Sequence, residues 1–342
     1  MKKIFIILHT ILLCLTSTIG WSSDLIKGFA AAQKGDFATA VREWKPFAEE
    51  GNVDAQYNLG VLYERGTNVF PKNYKIAVNW YKLAAEQGHS RAQFNLGNLY
   101  KNGQGVRQNY KTAIKWMILA ANQGDAISQF NLGNIYRNGK GVMQDYKTAM
   151  KWYKVAAEQG YAHAQSNLGQ MYAMGDGVLQ NYKTAITWLT LAAEQSYPHA
   201  QFSLGNMYRL GQGVSKDDKI AVKWYKLAAE QGYADAQSNL GLMYLKVNGV
   251  PQDYNVALKW FKLAAEQGHN SAQFYLSTMY ISGKGLIQDY VYAHMWANIS
   301  AFNGNKNAIK LRNVITKEMT SSDISNAQKL ARECVRKKYE GC

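Results

Sequence analysis

Residues 90–124 read SRAQFNLGNLYKNGQGVRQNYKTAIKWMILAANQG, and their spacing decides the fold. Ala92, Leu96, Leu99 and Tyr100 fall at i, i+4, i+7 and i+8, one face of a helix. Gly103 and Gly105 then end that helix and give the backbone the freedom a tight turn requires. Asn109 suits the cap of a second helix, whose apolar face is Tyr110, Ala113, Ile114, Met117, Ala120 and Ala121. Gly124 stands just past its end. The predicted unit is an antiparallel pair, helix A followed by helix B.

The unit recurs along the chain. Trp80, Trp116, Trp152, Trp188, Trp224, Trp260 and Trp296 stand 36 residues apart. Ala-Gln opens helix A at 55, 92, 164, 200, 236 and 272, with Ser128-Gln129 as the one variant. Leu-Gly recurs at 59, 96, 132, 168, 204 and 240, becoming Leu276-Ser277 in the last copy. A unit of this length cannot bury its apolar face alone and must stack on copies of itself. The fold class read from this period is all-α, an α-solenoid of helix pairs. Seven pairs cover 53–303, an entry pair covers 24–50, and a basic helical cap covers 305–342. The tryptophans are expected to fill the core between pairs, each burying roughly 150–250 Å². Three departures mark weak points: Ser196 and Val247 replace glycines and Asp218 replaces the first tyrosine of a helix B, so opening is expected to begin near 190–220.

Before the array, Lys2 and Lys3 precede the apolar stretch Ile4–Leu15 and the small residues Ser17, Thr18 and Gly20. Residues 1–20 therefore read as a secretory signal, too short for a membrane span of about 20 apolar residues. No later run is long enough to span either, so after signal cleavage no membrane span is expected, and the location is periplasmic or secreted. Cys334 and Cys342, near the C-terminus, could close a small loop in an oxidising compartment, or remain free or pair between molecules. The net charge of +15, with nine Lys or Arg against four acidic residues in 305–342, favours anionic partners such as acidic proteins or an envelope polyanion. Export argues against nucleic acid.

Catalytic chemistry finds no constellation. Ser-x-x-Lys, Ser-Asp-Asn and Lys-Thr-Gly, the motifs of a serine acyl-enzyme, do not occur in the sequence. Gly103-Gln-Gly105 and Gly139-Lys-Gly141 recur as turns and lack the phosphate-cradling fingerprint. His163 and His199 lie one repeat apart, too far to share a metal, and read with His89 and His269 as solvated loop residues. The expectation is no enzyme, no cofactor and no metal site.

The repeated motif A-Q-x-N-L-G-x-x-Y-x-x-G-x-G-V-x-Q-[DN]-Y-x-x-A-x-x-W-Y-x-x-A-A-E-Q-G resembles the Sel1-like repeat, a relative of the tetratricopeptide repeat, over about 24–340. The tail AQKLARECVRKKYEGC resembles the terminal cap of exported bacterial members. The resemblance implies a right-handed α-solenoid acting as a protein-interaction scaffold, in envelope or host-contact processes. Tetratricopeptide arrays hold extended peptides with helix-A Asn amides on the backbone and Lys or Arg on a carboxylate. By that analogy the partner-binding ribbon is Asn98 with Lys101, Asn134 with Arg137, Gln170, and Asn206 with Arg209, each charged residue three positions after its Asn. An inner column, Asn58, Asn95, Asn131, Asn167 and Asn239, is assigned to bonds between repeats. Helix B carries a lysine stripe (75, 111, 147, 183, 115, 151, 223, 259) expected on the outer face. Two other functions are weighed: a peptidoglycan- or β-lactam-binding hydrolase of the cysteine-rich Sel1 type, though these repeats hold no cysteine, and a polyanion or glycan binder using the stripe.

Overall fold

A computed structural model describes residues 23–67 and 70–342, in which eighteen α-helices and no strand occur. The expected secretory signal, 1–20, lies outside the described residues. An entry pair, α1 (Ser23–Gln33) and α2 (Phe37–Glu49), comes first. Seven pairs follow: α3 (Val53–Arg65) with α4 (Tyr74–Glu86), α5 (Ser90–Asn102) with α6 (Tyr110–Asn122), α7 (Ala126–Asn138) with α8 (Tyr146–Glu158), and α9 (Ala162–Met174) with α10 (Tyr182–Glu194). The series continues with α11 (Pro198–Leu210) and α12 (Asp218–Glu230), α13 (Ala234–Lys246) and α14 (Tyr254–Glu266), and α15 (Asn270–Ser282) and α16 (Tyr290–Phe302). The basic cap is two helices, α17 (Lys306–Lys317) and α18 (Ser321–Arg336). The chain divides into two compact units, one ending at Ala164 and one beginning at Gln165. Within each, helix B of one pair packs on helix A of the next. Among the described residues no helix is long and apolar enough to cross a membrane.

Local chemistry fixes the helix ends. Asn73, Asn109, Asp145, Asn181, Asp217, Asp253 and Asp289 each cap a helix B by accepting from the backbone N–H three residues on. The helix-A ends turn through left-handed residues such as Gly103, Gly139 and Gly211. Val247 (φ 61°) and Ser196 (φ 60°) hold that conformation without being glycine, at about 1–2 kcal/mol each. At the third departure, Asp218, the buried Oδ1 finds no partner among the described residues.

The indoles are not the core column their period suggests. Trp44 and Trp296 are buried, but Trp80, Trp116, Trp152, Trp188, Trp224 and Trp260 are only half-buried. The fully buried column is the next residue in each copy: Tyr81, Met117, Tyr153, Leu189, Tyr225 and Phe261. Four of these indoles instead cover a junction between consecutive pairs: Trp80 packs against the cluster of Trp44, Ala55 and Leu59, Trp116 against that of Tyr81, Ala85 and Leu96, Trp152 against that of Met117 and Leu132, and Trp260 against that of Tyr225 and Ala236. The glycine of each Leu-Gly explains the arrangement. A Cβ at Gly133 would lie 2.5 Å from the Tyr153 ring, so helix A meets helix B by omitting a side chain. In the last pair Ser277 takes the glycine position and Ala297 the ring position, and the Ser277 hydroxyl donates to the Ala293 carbonyl at 2.7 Å. Small and large exchange together.

The Ala-Gln signature acquires a function the sequence did not reveal. Gln93 is buried and donates its amide to the Ala85 carbonyl of the preceding helix B, while its own oxygen accepts from Gln123 at 2.8 Å. Gln129 (Ala121, Gln159), Gln201 (Ala193, Gln231) and Gln237 (Ala229, Gln267) repeat both bonds. At these four junctions a pair is stapled to its predecessor by a buried amide-to-carbonyl hydrogen bond, which would be costly to leave unmade.

Candidate functional site

Helix A carries the ribbon residues, and the side chains opposite them on helix B decide what each can do. In the second unit the Tyr225 hydroxyl donates to Asn206 Oδ1 at 2.7 Å and accepts from Arg209 Nε at 3.1 Å. Asn239 Nδ2 of the next helix A reaches Asn206 Oδ1 at 3.4 Å. Burial pushes the Tyr225 phenol up in pKa against the pull of Arg209, keeping it protonated as a donor. Gln170 meets His199 Nε2 at 3.1 Å, and the other ring nitrogen of His199 meets Ser166 Oγ at 3.1 Å.

The first unit shows the same device. Tyr153 donates to Asn134 Oδ1 at 2.7 Å. Tyr81 donates to Glu64 at 2.6 Å and also hydrogen-bonds to Asn95 of the next helix A; burial, then the Glu64 charge, raise its pKa. Four ribbon residues, Asn134, Gln170, Asn206 and Arg209, are therefore engaged within the chain rather than presented free. The inner column does bond between repeats at Asn95 and Asn239. Asn131 departs from it and turns back to the Ile127 carbonyl of its own helix at 2.8 Å, while Asn58 Nδ2 is buried with no partner among the described residues.

Asn131 departs because of Met117. Where the neighbouring pairs place a tyrosine, α6 places a thioether, which offers no phenol to Asn98, Lys101 or Asn131. Beside this gap a cleft of about 310 Å³ opens between α5 and α7, lined by Lys101, Tyr110, Asn131, Asn134, Asn138 and Lys140. Among the described residues lining it there is no carboxylate. Lys101 is half-buried, and burial, then the Lys140 charge, lower its pKa. Two ammonium groups and several amides converge on this cleft, an arrangement whose chemistry suits an anion. Asn98 and Arg137 are half-buried and lie outside this lining. The outer lysines are exposed, and Lys82, Lys154 and Lys226 pair with Glu86, Glu158 and Glu230 at 3.8 Å, a solvated and partly neutralised face.

His89, His199 and His269 are engaged within the fold rather than solvated. His89 and His269 cap helix A: Nδ1 of each accepts from Ala92 and Ala272 at 3.1 Å, and Nε2 faces Asp54 and Asp235. His163, in contrast, is exposed, its ring stacked on Tyr161. Burial holds His89 below the ordinary histidine pKa of 6.5; Asp54 opposes this and Arg91 adds to it. The fold thus prefers neutral His89, and this stability is present above the unfolded pKa and lost as pH falls through the lower folded one. His89→Asn keeps the cap without titrating. In denaturant unfolding at pH 7 and pH 5, the wild type should lose about 1 kcal/mol more than the variant on acidification; equal losses would remove His89 from the acid response.

The repeated helix pairs define an α-solenoid. The chain belongs to the Sel1 repeat family: the Sel1 repeat matches 53–89, 90–125, 126–161, 162–197, 198–233, 234–269 and 270–305. The crystal structure of a Sel1 repeat protein from Oxalobacter formigenes is 35% identical and covers 72% of this chain and 96% of its own, with a TM-score of 0.65. A protective antigen present in uropathogenic Escherichia coli strains, displaying an SLR fold, is 27% identical over 92% of each chain, with a TM-score of 0.41. Comparison with curated proteins finds no match.

Proposed function

We propose that this Sel1 repeat protein is an exported, non-enzymatic adaptor that binds a protein or peptide partner through its helix-A faces, with the cleft at Lys101 and Lys140 taking an acidic side chain or a chain terminus. The observation that carries the reading is the convergence of two lysines and the Asn131 and Asn138 amides on a cleft whose described lining holds no acid. Export is supported by Lys2, Lys3 and the apolar stretch Ile4–Leu15, and by the Cys334–Cys342 disulfide of the cap, whose Cα atoms lie 5.6 Å apart.

Crosslinking capture from the native envelope fraction tests this, comparing wild type with Lys101→Glu/Lys140→Glu and with Lys111→Glu/Lys151→Glu on the outer stripe. Reversal in the cleft should abolish recovery of the partner, and reversal on the stripe should leave it. Recovery that survives the first variant, or fails only with the second, would move the binding surface to helix B.

A further inference from the structure

The C-terminal cap holds a second, chemically different cleft. Helices α17 and α18 both pack on α16 but make little contact with each other, leaving a groove floored by α16. The groove encloses about 400 Å³, within the range of small-ligand pockets, roughly 300–1,000 Å³. Its floor is Ile299, Ala301 and Phe302, and its walls carry Ile309 from α17 and Val335 from α18. Phe302 is 83% exposed, a large apolar ring left facing water. Two guanidiniums, Arg312 and Arg332, stand one on each wall. Arg312 donates to Asn298 Oδ1 at 3.0 Å, which fixes one edge of its fork and leaves other N–H groups for a ligand. Among the described residues neither arginine forms an ion pair, and no acidic residue lines the groove.

We propose that this groove binds a small amphiphilic carboxylate, an acyl-chain or similar organic acid, with its carboxylate between Arg312 and Arg332 and its apolar body along Phe302, Ile309 and Val335. The charge chooses the head group: a guanidinium matches a carboxylate with two parallel hydrogen bonds, and nothing in the groove repels an anion. The lining chooses the rest, because a purely inorganic anion would leave the aliphatic floor wet and an uncharged hydrocarbon would leave both arginines unanswered. The site is separate from the Lys101 cleft and does not depend on the peptide-binding reading.

Calorimetric titration of the full chain with dodecanoate, below its micellar concentration, tests the proposal, with 1-dodecanol as the uncharged probe. Saturable binding of one dodecanoate per chain is expected, weakened about tenfold or more by Arg332→Gln and by replacing the acid with the alcohol. Val335→Trp should fill the groove and abolish binding; should it unfold the cap, seen as lost helicity, Ile309→Trp from the opposite wall takes its place. Lys101→Glu/Lys140→Glu should bind dodecanoate as the wild type does. The proposal fails if there is no saturable binding, if uptake is non-stoichiometric, if the alcohol binds equally, or if a folded groove-filling variant still binds.

Discussion

Gly133→Ser should destabilise the protein by about 1–3 kcal/mol, and the same substitution made on Tyr153→Ala should cost close to nothing. The added side chain would meet the ring of a fully buried tyrosine at 2.5 Å, too close for any staggered rotamer to relieve. Tyr153→Ala removes the obstacle and by itself costs about 3–5 kcal/mol in lost packing, so the informative quantity is the coupling between the sites. The molecule supplies its own precedent in Ser277 and Ala297, where the smaller partner accompanies the larger one. All four corners of the cycle can be measured by denaturant unfolding, with amide exchange in α7 as a local readout where unfolding is not two-state. Strict additivity would mean that the glycine is required by something other than the ring.

Met117→Tyr should close the Lys101 cleft without unfolding the protein. Gly97 lies against Met117 as Gly133 lies against Tyr153, so the buried slot already accepts a ring in sister pairs. The new hydroxyl would arrive beside Asn98, Lys101 and Asn131, repeating the set formed by Tyr225 with Asn206, Arg209 and Asn239. Stability should stay within about 1.5 kcal/mol of wild type, as for volume-tolerant core exchanges. Partner affinity should fall about 10- to 100-fold, the worth of one or two charge-assisted hydrogen bonds lost from the cleft. Unchanged capture by a folded Met117→Tyr protein would show that the thioether gap does not create the binding site.

Much of this architecture could be read from glycines and caps. Gly103, Asn109 and Gly124 mark ends that the helices respect, because turn and cap chemistry are local. The core column was harder. Trp is the largest and most regular apolar residue, so its period draws the eye, yet the buried position beside it is shared by Tyr, Met, Leu, Phe and Ala and shows no period of its own. What makes that position deep is a glycine on another helix, a tertiary fact. The ribbon positions were legible from i, i+3 spacing, but their engagement by Tyr153 and Tyr225 was not, since the phenols come from the opposite helix of the pair. His89 and His269 were misread for the same reason: a cap is recognised by the N–H it accepts from, and His is an uncommon residue at that place.

The glutamine staples bear on how such a chain can change its length. The staples at Gln93, Gln129, Gln201 and Gln237 each reach back eight residues to an alanine carbonyl of the previous helix and are met from 30 residues ahead by a glutamine. A module inserted or excised as a whole would find identical sockets on both sides, whereas a cut through the middle of one would strand buried amides at each new junction. Genetic duplication or loss in steps of one full period is therefore structurally silent at the seams, and the recognition face can be lengthened or shortened without redesigning the joints.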